Sequence, residues 1–182
     1  MKATGIVRRI DDLGRIVVPK EIRRTLRVRE GDPMEIYTNH EGEIILKKYS
    51  PIGEIDSFAK QYAESLAQIS GYKIIISDRD QVIAVAGGAK KSLLGKNISA
   101  DLETLMNERD VLTTAGGVAK GIPVVENEEL PEGGQVIYPI LCEGDIIGSV
   151  VITAKEKNQE VTITEQKLAG VAAAFLGRQM EN

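Results

Sequence analysis

The chain has 182 residues, of which 42% are hydrophobic and 27% charged, with a formal charge of −4; this is an ordinary globular composition with room for one domain or two small ones. With no tryptophan and only two phenylalanines, its core must be aliphatic. A single cysteine, Cys142, excludes an intrachain disulfide framework, and the absence of a hydrophobic signal region or of an apolar run near the ~18 residues that span a bilayer makes a cytoplasmic protein with no membrane association the expectation.

The net charge averages two unlike parts. Residues 1–50 carry eleven basic and eight acidic side chains, net +3, whereas residues 51–182 carry twelve and nineteen, net −7. Within residues 1–29 the ratio is nine Lys/Arg to three Asp/Glu. Positive charge on an ordered scaffold attracts a phosphate backbone, so the asymmetry predicts a basic module facing a polyanion and an acidic module that does not.

In chain order, residues 4–10 and 15–18 read as two strands joined by a turn at Asp11-Asp12-Leu13-Gly14. Pro19 then suits the first position of a short helix, where its missing N–H costs nothing. Glu21 sits in the first turn, where its charge suits the helix dipole. Ile22 and Leu26 form its buried face, Arg23, Arg24 and Arg27 its remaining surface, and Gly31 closes the unit. Met34–Thr38 and Glu43–Tyr49 flank His40-Glu41-Gly42 as a hairpin. Fewer than about 50 residues without metal or disulfide seldom supply a sufficient core, so this module is expected to oligomerise.

Ser50-Pro51-Ile52-Gly53 marks a boundary. A helix follows with Phe58, Tyr62, Leu66 and Ile69 as its stripe and Ala59, Ala63 and Ala67 beside it. Strands are expected at Lys73–Ser77 and Val82–Ala86 around a solvated turn, then a helical and loop region from Lys90 to Glu108. Val111–Val125 has no clear pattern, and Glu126–Gly134 reads as an acidic loop. Strands Gln135–Cys142 and Ile146–Ala154 precede a helix from Thr164 to Met180 with Leu168, Val171, Ala172 and Phe175 as its stripe. An antiparallel sheet with helices at both ends of its sequence fits that order. Small residues crowd both terminal helices and are read as a subunit interface in preference to packing within one chain.

The stretch Gly5-Ile6-Val7-Arg8-Arg9-Ile10-Asp11-Asp12-Leu13-Gly14-Arg15-Ile16-Val17-Val18-Pro19 resembles the DNA-binding domain of the AbrB transition-state regulators. The likeness continues through Glu21–Leu26 and Ile44–Tyr49, and the second domain resembles a GAF-type sensor module. Together they resemble sporulation transcription regulators of spore-forming Firmicutes. The resemblance implies an α+β chain of two domains. Residues 1–50 would be an AbrB-type swapped-hairpin, β-rich, DNA-binding dimer, 51–55 a linker, and 56–182 a GAF-like antiparallel sheet flanked by helices. Those GAF domains would pair through their first and last helices and so assemble a tetramer. The family's DNA-contacting arginines carry over to Arg8, Arg15, Arg23 and Arg24, with Arg9 and Lys20 as neighbours. The partner implied is double-stranded DNA at the nucleoid, and the activity is sequence-specific activation and repression of sporulation genes.

Some arginines can instead pair with Asp11, Asp12 or Glu21, and exposed pairs of that kind contribute little to stability. Asp78-Arg79-Asp80 reads as a turn before it reads as a metal site. Gly87-Gly88-Ala89-Lys90-Lys91-Ser92 lacks the phosphate-loop spacing and is expected at the rim of a pocket, with an unidentified small-molecule ligand and an empty, purely structural pocket both left open. No serine elbow, histidine pair or cysteine–histidine motif is present, so neither an enzyme nor a resident cofactor or metal is expected. The rivals are an antitoxin that uses the same DNA-binding fold, and a sensor that merely carries a basic dimerisation module.

Overall fold

The computed structural model describes residues 4–50, 52, 56–89, 91–117 and 119–181, which fall into two compact units that divide between Tyr49 and Ser50. In the first unit the turn after Ile10 forms as the sequence suggests. The Gly14 N–H donates to the Asp11 carbonyl and the Asp11 N–H to the Arg15 carbonyl, both at 3.0 Å. Gly14 takes a φ of +76°, a left-handed conformation that glycine adopts without steric cost.

The segments on either side of that turn depart from expectation: 4–10 and 15–18 form no β-ladder. Their apolar side chains explain why. Val7 is 89% exposed and Val17 72%, and Ile6, Ile10, Leu13 and Ile16 are exposed as well. A two-stranded ribbon with an uncovered apolar face is marginal in water, and among the described residues these side chains stay uncovered.

Helix α1 spans Lys20–Thr25, with Pro19 as its N-cap residue, one position earlier than expected. It stops before Arg27, which takes a left-handed φ of +52°. Helix termination therefore falls to Arg27, not to Gly31. Its apolar face is only half realised, since Ile22 is half-buried and Leu26 stays exposed. Strands β1 (Met34–Thr38) and β2 (Ile44–Lys48) pair antiparallel with Ile36 opposite Leu46. The end of β2 is fastened to the loop after α1: the Lys48 ammonium lies 3.0 Å from the Asp32 carboxylate and donates to the Arg27 carbonyl at 3.0 Å.

The second unit is built on one antiparallel sheet of β3 (Lys73–Asp78), β4 (Val82–Ala86), β5 (Leu112–Thr113), β6 (Gln135–Cys142) and β7 (Asp145–Thr153), in the order β4-β3-β7-β6-β5. Strands β6 and β7 meet through Glu143 and Gly144, both at positive φ, the two-residue connection whose twist suits adjacent strands. Both faces of the sheet are covered, so its strands read as near-continuous Ile/Val runs. Ile74, Ile76, Val150 and Ile152 pack under α2 (Asp56–Ser70) and α4 (Ile163–Gln179). Their alternates Ile75, Ile137 and Val151 pack with Leu102 and Met106 of α3 (Ala100–Asn107) on the opposite side.

The helices meet the sheet through their small residues. Ala59, Ala63 and Ala67 of α2 and Ala169, Ala172, Ala173 and Leu176 of α4 are buried in this core. Expecting those small residues at a subunit interface was therefore mistaken; they let the helices lie close on their own sheet. A β-carbon at Gly177 would stand 2.0 Å from the Leu141 carbonyl oxygen. The larger residues of the expected stripes divide: Leu66 is buried in this core and Phe58, Tyr62 and Leu168 pack against it, whereas Ile69 is 80% and Val171 63% exposed. Phe58, Tyr62 and Phe175 stack on one another, with ring centroids 5.4–6.3 Å apart.

Ile52, inside the segment read as a linker, is fully buried in the same core; residues 51 and 53–55 lie outside the described residues. The turn at Asp78–Gln81 is present, but the side chain that organises it is not solvated. Asp78 is buried and its carboxylate accepts from the Asp80 and Gln81 N–H groups, each at 2.7 Å, and from the Ser50 hydroxyl at 3.0 Å.

Candidate nucleic-acid interface

The six basic residues singled out in the sequence divide between two kinds of backbone. Arg8 and Arg9 lie exposed in the extended arm before the turn, and Arg15 just after it. Lys20, Arg23 and Arg24 lie on α1, with both arginines in its last turn, where the helix dipole favours a cation. Arg24 and Lys20 are exposed. Arg23 is half-buried, and its Nε is shielded from solvent without a hydrogen-bond partner among the described residues.

Arg15 is the one whose position is most tightly specified. Asp11 Oδ1 accepts the backbone N–H groups of Leu13 at 3.1 Å and Arg15 at 2.7 Å, while Oδ2 accepts Arg15 Nε at 2.8 Å. The backbone N–H of Arg15 does most to hold the Asp11 carboxyl below the ordinary aspartate range; desolvation opposes it, and the Arg15 guanidinium and the Leu13 N–H add to the lowering. Pairing of an arginine with Asp11 was one of the alternatives the sequence left open, and for Arg15 it is realised.

The support beneath α1 escaped the sequence reading. Asp32 is buried, its side chain 2% exposed, and it accepts the Arg29 N–H at 2.7 Å as well as the Lys48 ammonium. Burial pushes its carboxyl up, but these bonds and the charges of Lys48 and Arg29 outweigh it, and the group ends below its usual range. Gly-Asp-Pro at residues 31–33 is a turn signature that could have pointed to Asp32. Its partner on β2, 16 residues later, carried no local signal.

In the second unit a cleft of about 660 Å³ lies beside the sheet, with Ile75, Leu93 and Val125 among its apolar lining and Lys73, Lys96 and Glu128 among its charged lining. That size suits a small-molecule site. Gly88, Ala89 and Ser92 are part of its wall, as expected of the glycine-rich segment; Lys90 lies outside the described residues. Cys142 is half-buried and burial pushes its thiol up, away from nucleophilic character. Among the described residues no helix is long and apolar enough to cross a membrane.

An arginine-bearing turn and short helix on a β-hairpin, followed by a helix-flanked antiparallel sheet, defines a DNA-binding regulator fused to a GAF-like domain. Residues 54–181 match the family described as stage V sporulation protein T C-terminal, transcription factor. Residues 7–54 match antidote-toxin recognition MazE, bacterial antitoxin. Stage V sporulation protein T of Bacillus subtilis is 51% identical over 181 residues, covering 100% of this chain and 99% of that protein. The transition state regulatory protein AbrB of the same organism is 42% identical over 86 residues, or 46% of this chain and 88% of AbrB. The GAF domain of an Acinetobacter phosphoenolpyruvate-protein phosphotransferase superposes with a TM-score of 0.51 over 71% of this chain and 90% of that domain; at 10% identity the likeness is one of fold. The chain belongs to the stage V sporulation protein T family of transcription factors, with an AbrB-like DNA-binding domain and a GAF-like domain.

Proposed function

We propose that this regulator grips double-stranded DNA through Arg8, Arg15, Arg23 and Arg24, flanked by Arg9 and Lys20, on a dimer formed by the N-terminal unit. The observation that carries the reading is the coincidence of two features on one short segment. Residues 6–17 leave six large apolar side chains uncovered, and the same segment bears three of the arginines. A second copy that interleaves its strands buries the apolar set and duplicates the basic one, as the two half-sites of a DNA target require. Arginine forks then bridge phosphate oxygens or a guanine edge.

The GAF-like unit is the assembler in this proposal. Val171, Phe175, Phe58 and Ile69 offer an apolar surface on α2 and α4 by which two dimers join as a tetramer, raising the effective concentration of the second DNA-binding dimer at paired sites. The cleft is where a small-molecule signal would act on that assembly. The chain works in the cytoplasm as a regulator and not as an enzyme, and the antitoxin alternative has only the shared N-terminal fold in its favour. The test is a pair of full-length variants, Arg15→Ala and Arg23→Ala, followed by gel shift and sizing. Loss of tight DNA binding with the oligomer intact is expected; undiminished affinity in both contradicts the assignment.

A further inference from the structure

We propose that Asp11 is a positioning residue for DNA recognition, fixing the Arg15 guanidinium by its Nε so that the two terminal nitrogens meet the DNA end-on. The inference rests on the reading that Arg15 contacts DNA. It stands on the geometry of a carboxylate that is itself immobilised. Oδ1 is held by two backbone N–H groups, at 3.1 Å from Leu13 and 2.7 Å from Arg15. The loop is closed again by the Asp11 N–H to the Arg15 carbonyl at 3.0 Å. Only Oδ2 is left to take the side chain, and it takes Nε at 2.8 Å.

An arginine on an exposed turn otherwise samples many rotamers and must lose them on binding. Fastening Nε to a fixed oxygen removes that freedom beforehand, and it leaves the end-on fork that matches O6 and N7 of guanine or two phosphate oxygens. The pair is exposed, 69% for Arg15 and 37% for Asp11, so it adds little to folding stability. A carboxylate beside a phosphate backbone also weakens nonspecific attraction. Both effects act in the same direction, toward a larger ratio of specific to nonspecific binding.

The experiment uses the full chain and two probes: a duplex enriched from a random-sequence pool by the wild-type protein, and a scrambled duplex of equal composition. Asp11→Asn retains an oxygen for the two turn N–H groups but presents an amide nitrogen to Nε, which cannot accept. Its affinity for the enriched duplex should fall by about tenfold, the scale of one bidentate contact, with binding to the scrambled duplex unchanged or tighter. In an Arg15→Ala background the same substitution should cost the enriched duplex no further affinity, leaving at most the equal tightening of both duplexes that follows from removing a negative charge. Equal tightening on both duplexes would show Asp11 to be a repulsive charge only, and an undiminished loss in the Arg15→Ala background would show it to act through the turn; either overturns the proposal. If Arg15→Ala alone keeps full affinity, the DNA-contact reading of Arg15 fails first and the role of Asp11 falls with it. Asp11→Ala, checked by circular dichroism, reports the contribution of the turn bonds separately.

Discussion

At the residue scale the basic surface depends on an acidic one beneath it. Lys48 and Asp32 join the end of β2 to the loop that follows α1, so the helix bearing Arg23 and Arg24 is seated by a nearly buried ion pair. Removing one partner leaves the other charge uncompensated, which costs more than the pair itself gains. Lys48→Met should therefore destabilise the first unit by about 2–3 kcal/mol, measured as the loss of its amide protection in hydrogen exchange on the full chain. The acid dependence follows from the same site. Burial raises the Asp32 carboxyl, but the Arg29 N–H and Lys48 lower it further, so its folded-state pKa lies below the unfolded one. Its contribution is then complete above the usual aspartate range and is lost as pH falls through the depressed value. Asp32→Asn should be less stable than wild type at neutral pH, and the gap should close as the solution is acidified. None of this was visible in the sequence beyond the turn at residues 31–33, because Lys48 finds Asp32 through the fold and not through spacing.

At the element scale the terminal helices show a periodic stripe that makes up only part of the packed face. The stripe Phe58, Tyr62, Leu66, Ile69 is real, yet the sheet-facing surface of α2 is mostly alanine. Hydrophobic patterning ranks residues by transfer energy, whereas the fit of a helix on a twisted sheet is limited by how near the backbones can come. Gly177 decides that limit for α4. A Gly→Ala change inside a helix ordinarily gains about 1 kcal/mol of propensity. Here the new methyl would meet the Leu141 carbonyl oxygen at 2.0 Å, and backbone cannot swing aside. Overpacking costs about 1–3 kcal/mol or more, so Gly177→Ala should lower the thermal midpoint of the second unit despite the better helix former. The start of α4 is set by a capping box in which the Glu165 carboxylate accepts from the Thr162 N–H at 2.8 Å and hydroxyl at 2.6 Å. Thr162→Ala should cost about 1 kcal/mol, read by denaturant unfolding.

At the scale of the whole molecule the two units leave different work for a second copy. In the first, the expected strands of residues 4–10 and 15–18 form no ladder in one chain, and their apolar residues are uncovered. Sequence patterning detected the strands' alternation, and the small size of the module already pointed to a second copy as the source of its cover; what it did not show is that one chain alone leaves these segments without a ladder. In the second, the antiparallel sheet and its hairpins were largely legible, because Ile/Val runs between Gly and Asp turns carry their own signal, whereas the strand order was not. Nor was the two-residue strand β5, since two residues show no period. The apolar residues left outside on α2 and α4 predict the assembly test: Val171→Asp, at a position 63% exposed in the folded chain, should halve the oligomer by mass photometry and leave the second unit folded. Each DNA-binding dimer should survive that change, with only binding to paired sites weakened.

The most direct measurement is the salt dependence of DNA affinity for the full chain and for Arg15→Ala. If arginines grip phosphate, log K falls with log[salt] by about 0.9 for each contact, and a dimer that loses Arg15 from both copies should show a slope shallower by about 2. A flat salt response, or a steep one that no substitution among Arg8, Arg15, Arg23 and Arg24 alters, would contradict the account.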